Sequence, residues 1–357
     1  MKPTLSLVVK YFAVVAVSCF LAVVISQTVV SAGEVAPPAN RASEASTPWT
    51  MPGPFRIATT LGTWRDAFRD RDVPVKVYYP VLSEARTTTM KFPVILFSHG
   101  LGGSREGGQR WAAQWASHGY VVVAMQHAGS DEALWKTAAP RDIAEKMKAG
   151  MTIDNLVLRI GDVRFVIDQI LRRSAAGEDA FANADPVKLG MSGHSFGAQT
   201  TLAVIGQKSP INGAQSALDH RITAAIAFSP NARNKTNLPL QFGDITLPAF
   251  SITGSEDGSI LGDGTRPEDR RKPFEYMPEG QKYLAVFDGG DHMVFGGHGF
   301  GPRRPETARD RQIQFGVMAG TLAFWNVYLK QDSAAREWLA EGGYKAILGA
   351  KDVFDYK

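Results

Sequence analysis

The sequence predicts an α/β fold in which a mostly parallel central sheet is covered by helices on both faces. Three observations predict it. Short apolar runs such as 93–97 (Pro-Val-Ile-Leu-Phe) and 120–125 (Tyr-Val-Val-Val-Ala-Met) lack polar alternation, as strands buried on both faces do. Stretches with apolar residues at helical spacing lie at 111–118, 153–171, 198–205 and 312–329. The two kinds alternate along the chain, as β–α–β crossovers require.

The first 32 residues differ in kind. Lys2 and Lys10 precede the uncharged run 11–25, and Val30-Ser31-Ala32 puts small residues where a signal peptidase reads. The pattern predicts an exported protein, secreted or periplasmic, with 1–32 removed as a signal peptide. The alternative is an uncleaved anchor, because 5–30 can span a bilayer if Lys10 snorkels. The single cysteine, Cys19, lies inside this run, and the apolar stretch continues past it, which argues against lipidation. Cleavage after Ala32 would leave no cysteine, and therefore no disulfide and no thiol chemistry. The net charge of +4 would fall to +2, 37 basic against 35 acidic residues, because only two lysines are lost. So small an excess gives no reason to expect nucleic acid or an acidic membrane surface as partner. Residues 33–54, rich in Ala, Pro, Ser and Thr, read as a flexible lead-in, and 55–357 as one domain.

That domain opens with two β-rich segments, 55–63 and 73–81, joined by a charged turn at 65–72. In the second, Val75, Val77 and Tyr79 alternate with Lys76 and Tyr78, predicting an antiparallel strand with one wetter face. The strand 93–97, the helix 111–118 and the strand 120–125 follow. The helix 153–171 is built on Leu156, Ile160, Val163, Val166, Ile167 and Ile170, with Arg159, Asp162 and Asp168 between them. Strands are expected at 187–192, 222–228, 247–253 and 283–287, with a helix at 198–205 and an amphipathic helix at 312–329. There is no internal repeat. The irregular stretches 126–150 and 254–280 leave strand ends, where open α/β sheets bind ligands. Each is a candidate pocket wall or a plain surface insertion.

The chemistry centres on Gly193-His194-Ser195-Phe196-Gly197, between an apolar strand and a helix. In this Gly-x-Ser-x-Gly context a sharp turn presents the serine hydroxyl above the sheet, and the flanking glycines leave room for it. Ser195 is the candidate nucleophile. Acyl transfer then needs a base, an acid to orient that base, and donors for the oxyanion. The strand 247–253 runs into Gly254-Ser255-Glu256-Asp257, and Asp257 is preferred over Glu256 because a shorter side chain suits the turn. The strand ending at Phe287 runs into Asp288-Gly289-Gly290-Asp291-His292, which makes His292 the candidate base. His298 stands six residues further from that strand. His99 and His194 can line the site without serving as the base, and His118, His127 and His220 precede the acid. The oxyanion donors are expected at the backbone amides of Leu101, in Ser98-His99-Gly100-Leu101-Gly102-Gly103, and of Phe196. That Gly-rich loop is not a phosphate loop of the Gly-x-x-x-x-Gly-Lys type, because no lysine follows.

Over roughly residues 55–330 the chain resembles the serine α/β-hydrolases, through the elbow, the oxyanion loop and the nucleophile–acid–histidine order. Within them, Phe97–Gly103, Ala116-Ser117-His118-Gly119-Tyr120-Val121-Val122 and the elbow are similar to the platelet-activating-factor acetylhydrolase and dienelactone-hydrolase-related esterases. The resemblance implies an α/β-hydrolase fold and hydrolysis of short-chain or lipid-like carboxylic esters through an acyl-enzyme, with no metal or organic cofactor. A true dienelactone hydrolase carries cysteine at the elbow, so Ser195 departs from that activity. Cutinase-like polyester hydrolysis, peptidase action and a catalytically silent binding module remain the alternatives.

Overall fold

The computed structural model describes residues 48–49, 51–82, 90–208, 216–232, 234–260, 262–297 and 305–357. The predicted signal segment 1–32, most of the lead-in and His298 lie outside them.

Among the described residues, nine strands form one sheet. They are β1 (Arg56–Asp66), β2 (Arg71–Val81), β3 (Phe92–Ser98), β4 (Val121–Met125), β5 (Ala184–His194), β6 (Ile222–Phe228), β7 (Ala249–Glu256), β8 (Lys282–Asp291) and β9 (Val353–Tyr356). Their order is β1-β2-β4-β3-β5-β6-β7-β8-β9. The six strands from β4 to β8 in that order are mutually parallel, while β2 pairs antiparallel with both β4 and β1 at one edge and β9 pairs antiparallel with β8 at the other. The helices are α1 (Gln109–Ser117), α2 (Ala133–Lys136), α3 (Ile143–Gly150), α4 (Ile153–Ala175), α5 (Phe196–Val204), α6 (Leu238–Phe242), α7 (Lys272–Tyr276), α8 (Ala308–Lys330), α9 (Ser333–Ala340) and α10 (Gly343–Ala346). This is the α/β-hydrolase fold, with helices on both faces of a mostly parallel sheet. Among the described residues no helix is long and apolar enough to cross a membrane.

The period of two in β3 sorts its side chains between two cores. Ile95 and Phe97 pack with Trp111 and Trp115 of α1 and Trp325 of α8, while Val94 and Leu96 pack with Val163 and Val166 of α4 and Leu202 of α5. Burying each such side chain contributes about 1.5–3 kcal/mol, which is why an uninterrupted apolar run is stable only in the middle of the sheet. The long helix α4 begins where the Thr152 hydroxyl accepts a hydrogen bond from the Asn155 amide at 3.1 Å, satisfying a donor that the helix itself leaves unpaired.

Four differences from the sequence reading have physical causes. The face of β2 expected to be wetter is so only over its first half: Asp72 is exposed and Pro74 and Lys76 half-buried, but Tyr78 is buried in the α1 side of the core, while Val73, Val75 and Val77 enter the other. The helix expected to be amphipathic at 312–329 is α8, buried nearly all round because α9 and α10 pack over its outer side. The end of the lead-in is docked: Trp49 is buried, with its ring centroid 6.0 Å from that of Trp338, and the Gly53 amide donates to Ser117 Oγ at 3.1 Å. The stretch 126–150 is partly helical, holding α2 and α3.

Candidate active site

The elbow is held open by a close approach of backbones. Ser195 has φ 55° and ψ −113°, in the left-handed region that side chains rarely occupy. Its amide donates to the Phe228 carbonyl at 2.9 Å, tying the turn to the end of β6. A Cβ on Gly193 would lie 2.8 Å from the Ser98 carbonyl oxygen, and one on Gly197 would lie 2.6 Å from the Ser98 carbonyl carbon. Both glycines are therefore required by the end of β3 as much as by the turn.

Three strand ends bring the predicted side chains together. Ser195 Oγ is 2.9 Å from His292 Nε2, and His292 Nδ1 is 2.7 Å from Asp257 Oδ1. Ser195 is half-buried, whereas His292 and Asp257 are buried. Asp257 Oδ2 accepts from the Thr253 hydroxyl at 2.8 Å. Burial opposes ionisation of this carboxyl, yet the hydrogen bond from His292 and the positive charge of Arg270 outweigh it and hold its pKa down to about 2. Glu256 is exposed. The loop after His292 is fastened to α1: Trp111 Nε1 donates to the Phe295 carbonyl and the Gly108 amide to the Gly296 carbonyl, each at 3.0 Å.

Leu101 and Phe196 both line the cleft in front of Ser195. Among the described residues neither backbone amide has a hydrogen-bond acceptor. Phe196 is the first residue of α5, so its N–H sits at the positive end of that helix. The cleft has a volume of about 120 Å³ and an apolar lining that includes Leu101, Met147, Met151, Phe196, Ile260 and Met293. Both long insertions wall it: Met147 comes from 126–150, and Ser259, Ile260, Asp263 and Thr265 from 254–280.

His99 and His194 line the cleft. Burial, with the neighbouring His292 adding to it, pushes the His194 imidazole down to about 3, so it is neutral, and its Nε2 donates to the His292 carbonyl at 2.9 Å.

The sequence reading missed Arg270. Its side chain is buried, with Nε donating to the Asp257 carbonyl oxygen and lying equally close, 3.1 Å, to Oδ1. One terminal nitrogen donates to the Ser229 carbonyl at 2.9 Å, and the other lies 3.2 Å from His292 Nδ1. No sequence signal marks this arginine, because only folding of the stretch after β7 brings it back thirteen positions to the acid.

Arg159 and Asp162, which the sequence places between the apolar positions of α4, are fully buried. They stand four residues before Val163 and Val166, on the same stripe, and that spacing was legible. Together with Ser98 and His127 they form a second polar array: Ser98 Oγ is 2.9 Å from His127 Nε2, and His127 Nδ1 is 3.0 Å from Asp162 Oδ2. Burial, followed by the charge of Arg159, pushes His127 down to about 4 against the pull of Asp162, so the bond is that of a neutral imidazole to a carboxylate. Asp162 in turn is held down to about 2, despite burial, by bonds from His127 and Arg71.

A sequence model of the family described as platelet-activating factor acetylhydrolase, isoform II, matches residues 71–164. The chain is related to that family over this stretch, which runs from β2 into α4 and carries the loop of Leu101 but ends before Ser195. No curated protein matches the chain.

Proposed function

We propose that the protein is a serine hydrolase of carboxylic esters, with Ser195 as nucleophile, His292 as general base and acid, and Asp257 as the orienting acid. The observation that carries this reading is the chain of contacts from Ser195 Oγ to His292 Nε2 at 2.9 Å and from His292 Nδ1 to Asp257 at 2.7 Å, on a strained elbow that faces an apolar cleft. The relation to the acetylhydrolases supports ester hydrolysis over other acyl transfers.

In this mechanism His292 takes the Ser195 proton as Oγ attacks the ester carbonyl carbon. The negative charge that moves onto the carbonyl oxygen is held by the Leu101 and Phe196 amides. The tetrahedral intermediate collapses, His292 gives its proton to the leaving alkoxide, and the acyl group stays on Ser195. Water then attacks the acyl-enzyme with His292 again as base, releasing the carboxylic acid and restoring the serine. Asp257 remains ionised and holds the Nδ1–H tautomer. Arg270, which also lines the cleft, restrains Asp257 through its Nε, 3.1 Å from Oδ1. The apolar lining suits an aliphatic acyl group, and its methionines adapt to chains of more than one shape. The segment 1–32 is proposed to direct export.

The test is hydrolysis of p-nitrophenyl esters from acetyl to palmitoyl by residues 33–357, beside Ser195→Ala. Turnover that disappears in the variant supports the assignment, and the chain-length optimum sizes the cleft. A folded protein that hydrolyses none of the series refutes it.

A further inference from the structure

A buried guanidinium is costly unless it is fully compensated, and an aliphatic residue at position 159 would simply continue the stripe of Val163, Val166 and Ile170. What Arg159 touches accounts for its presence. One terminal nitrogen donates to the His99 carbonyl at 2.7 Å, Nε donates to Ser130 Oγ at 2.8 Å, and the other terminal nitrogen reaches the Ser130 carbonyl at 3.3 Å. Its central carbon stands 4.3 Å from the centre of the Phe196 ring. His99 stands two residues before Leu101, and Phe196 is the first residue of α5, so both adjoin the candidate oxyanion amides.

The rest of the array acts on the same loop. The His127 amide donates to His99 Nε2 at 3.0 Å, and the Gly102 amide to the Ser130 carbonyl at 2.9 Å. The array formed by Ser98, His127 and Asp162 holds His127 in place, and Arg69 and Arg71 close on Asp162 from the hairpin of β1 and β2 at 2.9 and 2.7 Å. The loop of Leu101 is thus tied on its inner side to α4 and to the segment after β4.

We propose that Arg159 is the positioning residue of the oxyanion hole, a single guanidinium that sets the loop of Leu101 and the start of α5 at a fixed separation. The proposal rests on the esterase reading above. It follows that Arg159 acts on the transition state, where the oxyanion exists, and little on the ground-state ester. Removing one oxyanion donor outright costs about 10²–10³ in kcat, so slackening the loop is expected to cost about 10- to 100-fold.

The experiment compares an oxo-ester with its thiono analogue on the full chain and on Arg159→Met, with Ser130→Ala as a milder variant that removes the Nε partner and its bond to the His127 carbonyl. Sulfur accepts hydrogen bonds poorly, so thiono-ester turnover depends less on the hole. Expected is a fall in oxo-ester kcat with KM within about threefold, and a smaller fall on the thiono-ester, so that the oxo/thiono ratio drops at least fivefold. An unchanged ratio, whether both rates fall together or neither falls, overturns the proposal. If Arg159→Met does not fold, the ratio in Ser130→Ala decides, with a twofold drop expected and no drop overturning. An unmutated chain that hydrolyses neither ester refutes the esterase reading, a result distinct from an active chain whose ratio does not move.

Discussion

Gly197→Ala puts the tightest demand on the elbow. The added Cβ would stand 2.6 Å from the Ser98 carbonyl carbon and 2.9 Å from the His99 carbonyl oxygen. The Ser98 carbonyl oxygen would be nearer still; carbon atoms in contact settle at about 3.5–4.0 Å, so β3 and α5 must part by at least about 0.9 Å. Neither partner is a side chain that can rotate away: both carbonyls belong to the backbone that leads into the Leu101 loop. A displacement of about 1 Å between reacting groups costs about 10²-fold in rate, and here it separates the two amides that would share the oxyanion. The expected outcome is a kcat/KM at least 100-fold lower on p-nitrophenyl butyrate, with secondary structure retained by circular dichroism. Gly177→Ala, just past the end of α4, is the control, since nothing lies within 4 Å of a Cβ there and only the φ of 67° is strained; it should stay within about twofold. A Gly197→Ala enzyme within threefold of the parent would refute the claim that backbone contact across the elbow sets the site.

Other outcomes can be checked with the same protein. Asp257→Asn should lower kcat by about 10³–10⁴ through the wrong imidazole tautomer, whereas exposed Glu256→Ala should leave it within twofold; the reverse pattern would reassign the acid. Stability should fall as pH drops below about 6.5, because His127 and His194 are held neutral with pKa values of about 4 and 3 and the unfolded chain takes up those protons first. For His127 alone the loss at pH 5 is about 2 kcal/mol, so a urea midpoint equal at pH 5 and pH 7.5 would contradict it. Below about 3.8 the contributions of Asp162 and Asp257 fade as well, down to their pKa of about 2. A fluorophosphonate should label Ser195 and leave Ser98 untouched when the digest is read by mass spectrometry.

Much of the sheet was legible because burial on both faces leaves a strand no polar residue, as in 93–97 and 120–125. The elbow was legible because its glycines are forced by backbone contact, and the strand ends before Asp257 and His292 carried their own turn residues. Other features depend on what the fold brings together from afar. Arg270 lies in a polar stretch where nothing local distinguishes it from its neighbours Arg266 and Arg271. The burial of α8 follows from α9 and α10, which lie later in the chain. Four residues at β9 are too short a run to declare themselves as a strand. Arg159 and Asp162 belong to a different category: their spacing to Val163 and Val166 put them on the α4 stripe, but their buried partners come from distant segments such as Ser130 and the hairpin of β1 and β2.

The buried array of Ser98, His127 and Asp162 repeats the contacts of the one at the cleft to within 0.3 Å, 2.9 and 3.0 Å against 2.9 and 2.7 Å. A search of this molecule by side-chain template alone would therefore return two hydrolytic centres. What separates them is address: Ser195 stands on a strained turn at the mouth of a cleft, while Ser98 closes an ordinary strand with no exposure at all. A serine, a histidine and an aspartate in line make a proton wire wherever they meet. Only the one with a door to the solvent can do work on a substrate.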